Sequence, residues 1–327
     1  MAVASTLILV YGESPARVYF TMLSHSLGDL YGFGQVIARA TPLVFTGLAV
    51  AMALHAGLFN IGGEGQLALG SLAAALVGTA LPVGTPMLLG ALACTIAGAL
   101  AGGAAGAIPG LLKARLGAHE VITTIMLNFM IQALILWSGR RLFFMPDTIH
   151  TRPVVAGARL PSLHMAGSSA SAALGIAFLM AGACWFFLFR TRHGFEHRAL
   201  GKNPLAAEAA GISLPRTIFL SMTISGALAG LVGTSTVLGY KGYFEDGLGS
   251  GTGFMGIAVA LLARNHPLGV IPAAFFLGLL SHGGLAANAL VPKELVEIMQ
   301  GAMILAMAVT SAVLARAPVS KEPSWTT

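Results

Sequence analysis

An all-α, polytopic membrane helix bundle is the fold class this sequence predicts, and three observations predict it. Of 327 residues, 56% are apolar, and only 18 Lys/Arg and 12 Asp/Glu carry charge. The charged share is 9%, against about 25% in a soluble domain. Gly supplies 42 residues, nearly twice the roughly 7% of average usage. Apolar runs also recur along the chain at the length a bilayer demands, about 20 residues per span, and the mean hydropathy is +0.83. A soluble globular enzyme, a disordered tail and a disulfide scaffold are excluded. A β-barrel is excluded too, because its strands would alternate in segments of about 10 residues. The expectation is one transmembrane domain over 1–327 with nine to ten segments.

Met1 to Tyr11 is apolar but about half a span long, with no basic n-region or small-residue cleavage site of a signal peptide. It reads as the end of a first span, truncated in this chain. Residues 12–38 alternate polar and aromatic positions around Gly12, Pro15 and Gly28, which suits an interfacial segment. Apolar runs follow at 40–59, 66–81, 86–112, 119–138, 170–189, 216–238, 252–263, 267–285 and 296–315. The run at 252–263 is too short to cross alone and reads as a half-helix, or as one extended back through Gly247 to Gly253. Two connections are long and basic: 139–169 with Arg140, Arg141, Arg152 and Arg159, and 190–215 with Arg190, Arg192, Arg198 and Lys202. Placing 190–215 and the tail 316–327 in the cytoplasm leaves only a small excess of Lys and Arg on that side, so charge alone is a weak guide to orientation. Trp137 beside Arg140 and Trp185 beside Arg190 read as interfacial anchors at opposite faces. The net charge of +6 fits Lys and Arg at membrane edges, and no compact basic domain suggests nucleic acid. Cys94 and Cys184 lie inside apolar runs, where a disulfide is not expected.

Gly98, Gly102, Gly106 and Gly110 repeat every four residues and put Gly on one helix face, where a neighbouring backbone can approach. Gly226 and Gly230 repeat the pattern within the same string, Gly-Ala-Leu-Ala-Gly, that occupies 98–102. Chance in Gly/Ala-rich stretches and an inverted repeat of the kind found in transporters both account for it.

Three polar constellations carry the functional reading. In Asn60-Ile61-Gly62-Gly63-Glu64-Gly65-Gln66, three Gly in four residues break a helix and leave backbone groups needing partners. Asn60 suits the end of the preceding helix and Glu64 the positive start of the next. A capped turn at the membrane edge and a broken helix lining a polar path both fit. Thr124, Asn128 and Gln132 fall on one helix face, suited either to interhelical hydrogen bonds or to a wall for a neutral polar solute. In Gly201-Lys202-Asn203-Pro204-Leu205-Ala206-Ala207-Glu208-Ala209-Ala210-Gly211, Asn203 and Pro204 start a short helix and Gly211 ends it. Such a helix is either an ordinary loop helix or one that docks in a partner's groove, where bulk at Ala207 or Ala209 would block it. His193 and His197, four apart in a basic loop, read as solvated. No phosphate-binding Gly-x-x-x-x-Gly-Lys-[Ser/Thr] loop occurs, so ATP hydrolysis is not expected here. No residue is assigned a catalytic role, and no metal or cofactor is expected. Span centres nearly free of charge weigh against a stand-alone secondary carrier. The lack of clustered His, Asp or Cys weighs against an intramembrane enzyme.

Four strings in order carry a resemblance. Ala40-Thr41-Pro42-Leu43, Thr46-Gly47-Leu48-Ala49 and Gly57-Leu58-Phe59 lead into the Asn60 to Gln66 string. Glu120-Val121-Ile122-Thr123-Thr124-Ile125-Met126-Leu127-Asn128 and the Gly201 to Ile212 string follow. Gly256-Ile257-Ala258-Val259-Ala260-Leu261-Leu262 with Asn265-His266-Pro267-Leu268-Gly269 comes last. From about residue 12 to 316 the chain resembles ABC-importer permeases of the nucleoside-uptake type, within the wider branched-chain amino acid, ribose and simple-sugar permease family. The resemblance implies a bacterial inner-membrane subunit of about ten helices. It also implies an ABC ATPase subunit, a second related permease and a substrate-binding lipoprotein or periplasmic protein as partners. It assigns Gly201, Asn203, Pro204, Ala207, Glu208, Ala209, Ala210 and Gly211 to an ATPase-coupling loop. Asn60, Gly62, Glu64, Gln66, Thr124, Asn128 and Gln132 are the expected path residues, and Gly98, Gly102, Gly106, Gly226 and Gly230 the packing residues. Sparse charge fits a neutral solute, nucleoside or sugar alike; only the resemblance tilts toward nucleosides. Family members begin with a full first helix, and only about ten residues precede Gly12-Glu13-Ser14-Pro15 here.

Overall fold

The computed structural model describes residues 2–288, 290–292, 297–298, 301–302 and 305–306. Among them the chain is helical, with three isolated bridges and no strand. A short α1 (Ala2–Val10) and α2 (Pro15–Leu27, with Pro15 in the first turn) precede the long α3 (Leu30–His55). Then come α4 (Gly63–Ala80), α5 (Met87–Leu116) and α6 (Glu120–Ser138), which runs on through a wide turn to Phe143. After an ordered loop, α7 (Ala173–Arg190), α8 (Arg192–Lys202) and α9 (Pro204–Ala209) follow. Next are α10 (Leu214–Gly230), continued by a wide helical stretch to Lys241, α11 (Thr252–Leu262) and α12 (Val270–Ala287). Among the described residues, six segments are long and apolar enough to span a membrane: Leu30–His55, Met87–Leu116, Glu120–Phe143, Ala173–Arg190, Leu214–Lys241 and Pro267–Ala287.

The expected segment at 296–315 lies largely, and the 316–327 tail wholly, outside the described residues. The remaining difference from the expected count is physical. The run at 66–81 becomes α4, which starts inside the bundle, and the run at 252–263 becomes the eleven-residue α11. The stretch 12–38, expected as one interfacial segment, divides between α2 and the first turns of α3. The Asp29 side chain accepts a hydrogen bond from the Gly32 amide and starts α3 there, ten residues ahead of the apolar run. Gly32, Gly34, Val36 and Ile37 are buried, so the polar-looking stretch belongs to the most buried helix of the molecule.

Around α3 sits the main core, where Val44, Phe45, Leu48 and Met52 are fully enclosed. The most extensive helix pair is α5 with α10, which run antiparallel. A Cβ on Gly102 would lie 2.7 Å from the Gly230 Cα, and one on Gly106 3.0 Å from the Gly226 Cα. Carbon atoms in contact normally stay about 3.5–4.0 Å apart, so these positions admit only Gly. The two copies of Gly-Ala-Leu-Ala-Gly thus pack against each other.

The connection 139–172 folds over one end of the bundle. Val155 N donates to Gly78 O (3.0 Å), Leu160 N to Leu238 O (2.9 Å) and Thr151 N to Phe244 O (2.9 Å). The other end gathers α8, α9, the end of α3 and the end of α11, where the His55 Nε2 bonds to the Asn265 carbonyl at 3.0 Å. Lys113 and Glu120 pair at 2.7 Å across the α5–α6 turn. The Arg141 guanidinium stacks over Trp137 at 5.3 Å, displacing the expected Arg140 from that role, and Arg190 stacks over Trp185 at 5.7 Å. Cys94 and Cys184 are both free and buried.

Candidate functional site

The Asn60 to Gln66 string lies inside the bundle. Helix α3 ends at His55, and Gly57, at φ +69°, turns the chain back inward. Asn60 is therefore not the cap of α3. Its Oδ1 accepts from the Gly62 amide (2.9 Å) and the Gln66 Nε2 (3.2 Å), while its Nδ2 donates to the Gln66 Oε1 (2.8 Å) and Ser225 Oγ (2.8 Å). Ser225 on α10 donates in turn to the Ala49 carbonyl of α3 at 2.6 Å. From α6, Asn128 accepts from the Gly65 amide and donates to the Ile61 carbonyl, both at 2.9 Å. Asn60, Gln66 and Asn128 are buried. Asn128 lies eight residues into α6, about 12 Å along it at 1.5 Å per residue. Backbone polar groups this deep must be satisfied within the protein, and two amide side chains satisfy them.

Two Gly of the break, Gly62 and Gly65, are a matter of room. A Cβ at Gly62 would sit 3.0 Å from Asn60 Oδ1 and 3.2 Å from Thr124 Cβ; one at Gly65 would sit 3.0 Å from Asn128 Oδ1. Thr124 packs there with its hydroxyl turned to the Glu120 carbonyl of its own helix at 2.7 Å. Gln132 stands one turn further along α6, half-buried and outside this cluster.

Glu64 lies in the first turn of α4, yet its carboxylate serves another helix. Oε1 accepts from the Gly253 amide (3.1 Å) and the Phe254 amide (3.4 Å) at the start of α11. Two helix beginnings meet there with one carboxylate between them, which complements the positive ends of both.

A cavity of about 770 Å³ opens beside this junction, toward the end covered by 139–172. Gln35, Arg39 and Thr41 of α3, Ser235, Thr236 and Tyr240 beyond α10, Thr252 and Phe254 of α11, and Ser281 of α12 line it. The polar part of the wall is made of hydroxyls, an amide, one guanidinium and the Glu297 carboxylate, and two aromatic rings and aliphatic side chains complete it. The seven expected path residues are not among its lining; Asn60, Glu64, Gln66 and Asn128 hold the α4 and α11 starts behind it. Sequence reasoning missed Arg39. The signal was a single Arg nine residues into a long apolar helix, hidden by the assignment of 12–38 to the interface.

The Gly201 to Gly211 string builds as its residue types direct. Asn203 Oδ1 accepts from the Ala206 amide (3.1 Å), Pro204 occupies the first turn of α9, and Gly211, at φ +81°, ends the turn. Leu205 is 78% exposed and Glu208, Ala209 and Ala210 are also exposed, whereas Ala207 is buried at 3%. Ala207 and Ala209, equal in the sequence, thus differ: only Ala209 is on the outward face. Helix α8 was not foreseen, because Gly194 and Gly201 dilute its pattern. Gly194 is required where a Cβ would meet Leu188 Cα at 2.6 Å. His197 is a correction: it is 1% exposed rather than solvated. Its Nδ1 donates to the His193 carbonyl (2.8 Å), its ring meets Phe187 edge-on, and burial holds its pKa below the ordinary 6.5. His193 instead pairs with Glu196 at 3.1 Å, a hydrogen bond that holds that carboxyl below its usual range. Among the described residues no group of His, Cys, Asp or Glu could hold a metal ion.

Comparison with known proteins places this architecture. The chain is 40% identical to a guanosine ABC transporter permease protein of Bacillus subtilis, over 96% of this chain and 91% of that one. It is 33% identical to a nucleoside ABC transporter permease protein of Lactococcus lactis, over 96% and 89% of the two chains. A glucose ABC transporter permease protein of Haloferax volcanii is also 33% identical, over 93% and 83%. No solved structure matches the chain. Residues 32–308 match the family of the permease component of the branched-chain amino acid transport system, and the chain belongs to that family.

Proposed function

We propose that this chain is the transmembrane permease subunit of an ATP-driven nucleoside importer in a bacterial inner membrane. The observation that carries this reading is the cavity beside the α4–α11 junction, lined by hydroxyls, an amide and two aromatic rings with a guanidinium and a carboxylate among them. Aromatic faces suit a base and hydroxyls suit a ribose. The relatives named for guanosine and nucleosides, alike over nearly the whole chain, support the same solute class. The exposed face of α9, at the end of the bundle away from the cavity mouth, is the docking point for an ATPase on a separate subunit. ATP-driven closure of the ATPases moves α8 and α9 as a rigid unit, and with them the ends of α3 and α11 that pack there. A second related permease completes the path, and a binding protein delivers solute at the 139–172 end. In this scheme Asn60, Gly62, Glu64, Gln66, Thr124 and Asn128 act along the path by fixing the broken helix that bounds it, and Gln132 faces it one turn further along α6.

Uptake of labelled nucleoside and labelled sugar, in cells with the full importer, tests the reading. Nucleoside uptake lost without this chain, and lost without the ATPase, is the expected result. Sugar uptake with the same dependence favours the second reading, a simple-sugar permease, which the glucose relative supports. Uptake that survives loss of the ATPase refutes both.

A further inference from the structure

We propose that Arg39 reads the base of the solute and gives this permease a preference for 6-oxopurine nucleosides over 6-aminopurine nucleosides. The inference rests on the nucleoside reading above and adds a specificity residue to it.

Arg39 lies nine residues into α3, about 14 Å from its start at 1.5 Å per residue. A charge at that depth is expensive, and such residues face a water-filled cavity and mark a solute path. Arg39 does line the cavity. It enters none of the ion pairs among the described residues. Ser281, from α12 across the cavity wall, holds Nη1 at 3.1 Å. A guanidinium has five N–H donors in a planar fork and no acceptor. With one nitrogen steered by Ser281, the fork is oriented rather than free.

What this fork can recognise follows from its chemistry. It needs two acceptors side by side in one plane. A 6-oxopurine presents O6 and N7 in that arrangement, and Arg pairs with that edge in bidentate fashion. A 6-aminopurine presents N7 beside an N6 donor, which meets the guanidinium N–H head-on. Tyr240 and Phe254, both partly exposed and lining the same cavity, supply ring faces for the base. Ser235 and Thr236 supply hydroxyls for a ribose. A simple sugar has no such planar pair of acceptors and would gain nothing from the fork.

The test compares initial uptake of labelled inosine and adenosine in cells carrying the complete importer, with wild-type chain, R39Q or R39K. The binding protein is the same throughout, so its own selectivity divides out of the comparison. Gln pairs with the N6/N7 edge of adenine, so R39Q is expected to lower the inosine-to-adenosine ratio about tenfold from wild type, by raising adenosine uptake as well as lowering that of inosine. R39K keeps the charge and loses the planar fork, and is expected to lower the ratio about threefold without favouring adenosine. Membrane abundance is measured alongside; should R39Q fail to accumulate, the R39K ratio decides. A ratio unchanged from wild type overturns the role of Arg39 while leaving nucleoside transport in place. No nucleoside uptake by the wild-type importer overturns the nucleoside reading and this inference with it.

Discussion

Replacing Asn128 with Leu removes the α6 side of the clamp on the broken helix. Leu is close in volume, so little cavity is created, and the change isolates hydrogen bonding. Two backbone groups lose their partner, the Gly65 amide and the Ile61 carbonyl, each bonded at 2.9 Å. Leaving a buried polar group unsatisfied costs about 1–3 kcal/mol, or about 2–6 kcal/mol for the pair. Bonds between membrane helices measure lower, about 0.6 kcal/mol on average and up to about 1.7, because the chain unfolded in a membrane also finds partners. The two bounds overlap at about 2–3 kcal/mol, a factor of about 30–150 in the folding equilibrium. Thr124→Val is the control. The Thr124 hydroxyl bonds only to carbonyls of its own helix, so its loss is expected to cost under about 1 kcal/mol. Denaturant titration of the purified chain in detergent micelles measures both. Asn128→Leu is expected to unfold well before wild type, and Thr124→Val close to it. Equal midpoints for Asn128→Leu and wild type would refute the clamp. A fully stable Asn128→Leu chain with lost uptake would make Asn128 a direct contact of the solute.

Four further outcomes follow from other contacts. Ala209→Trp and Leu205→Glu, on the exposed face of α9, are expected to abolish ATP-coupled uptake at normal membrane abundance, whereas Ala207→Trp, in a buried position, should lower abundance itself; immunoblots of membranes beside uptake assays separate the two. Gly102→Leu forces a side chain onto the Gly230 backbone and should cost at least the roughly 1–3 kcal/mol of overpacking, read as reduced thermal stability in detergent. Glu64→Ala strips the Gly253 and Phe254 amides of their acceptor, about 1–3 kcal/mol each, while Glu64→Gln keeps an acceptor and should unfold near wild type. His197 has its native pKa below 6.5, so the unfolded chain takes its proton first: thermal stability is unaffected by this residue above pH 6.5 and falls as pH drops from there toward the native value, because protonation puts an N–H on the buried Nε2, which has no acceptor among the described residues. In His197→Phe that acid-side slope is expected to flatten, and an unchanged slope would show that other groups cause it.

Composition and local pattern determined much of this protein. Sparse charge and long apolar runs left a helical membrane bundle as the only class, because backbone in a bilayer must satisfy itself within each helix. Asn203, Pro204 and Gly211 specify α9 by local capping alone, which needs no tertiary partner. The four-residue Gly repeats announced a close helix contact, but that the repeat at 98–106 meets the one at 226–230 is decided by the antiparallel docking of α5 on α10. Depth was also a tertiary matter. Nothing in Asn60 to Gln66 states whether the break lies at the membrane edge or within it; Ser225 and Asn128, more than sixty residues away, hold it inside. Glu64 carries the signature of a helix start, yet the helix it serves begins nearly two hundred residues later, at α11. Arg39 looked like an edge residue until Asp29 and the buried Gly32 and Gly34 placed the start of α3 well before it. Local sequence encodes which residues turn, cap and span. Only packing brings polar groups from distant helices to one depth, where the low dielectric makes each of them consequential.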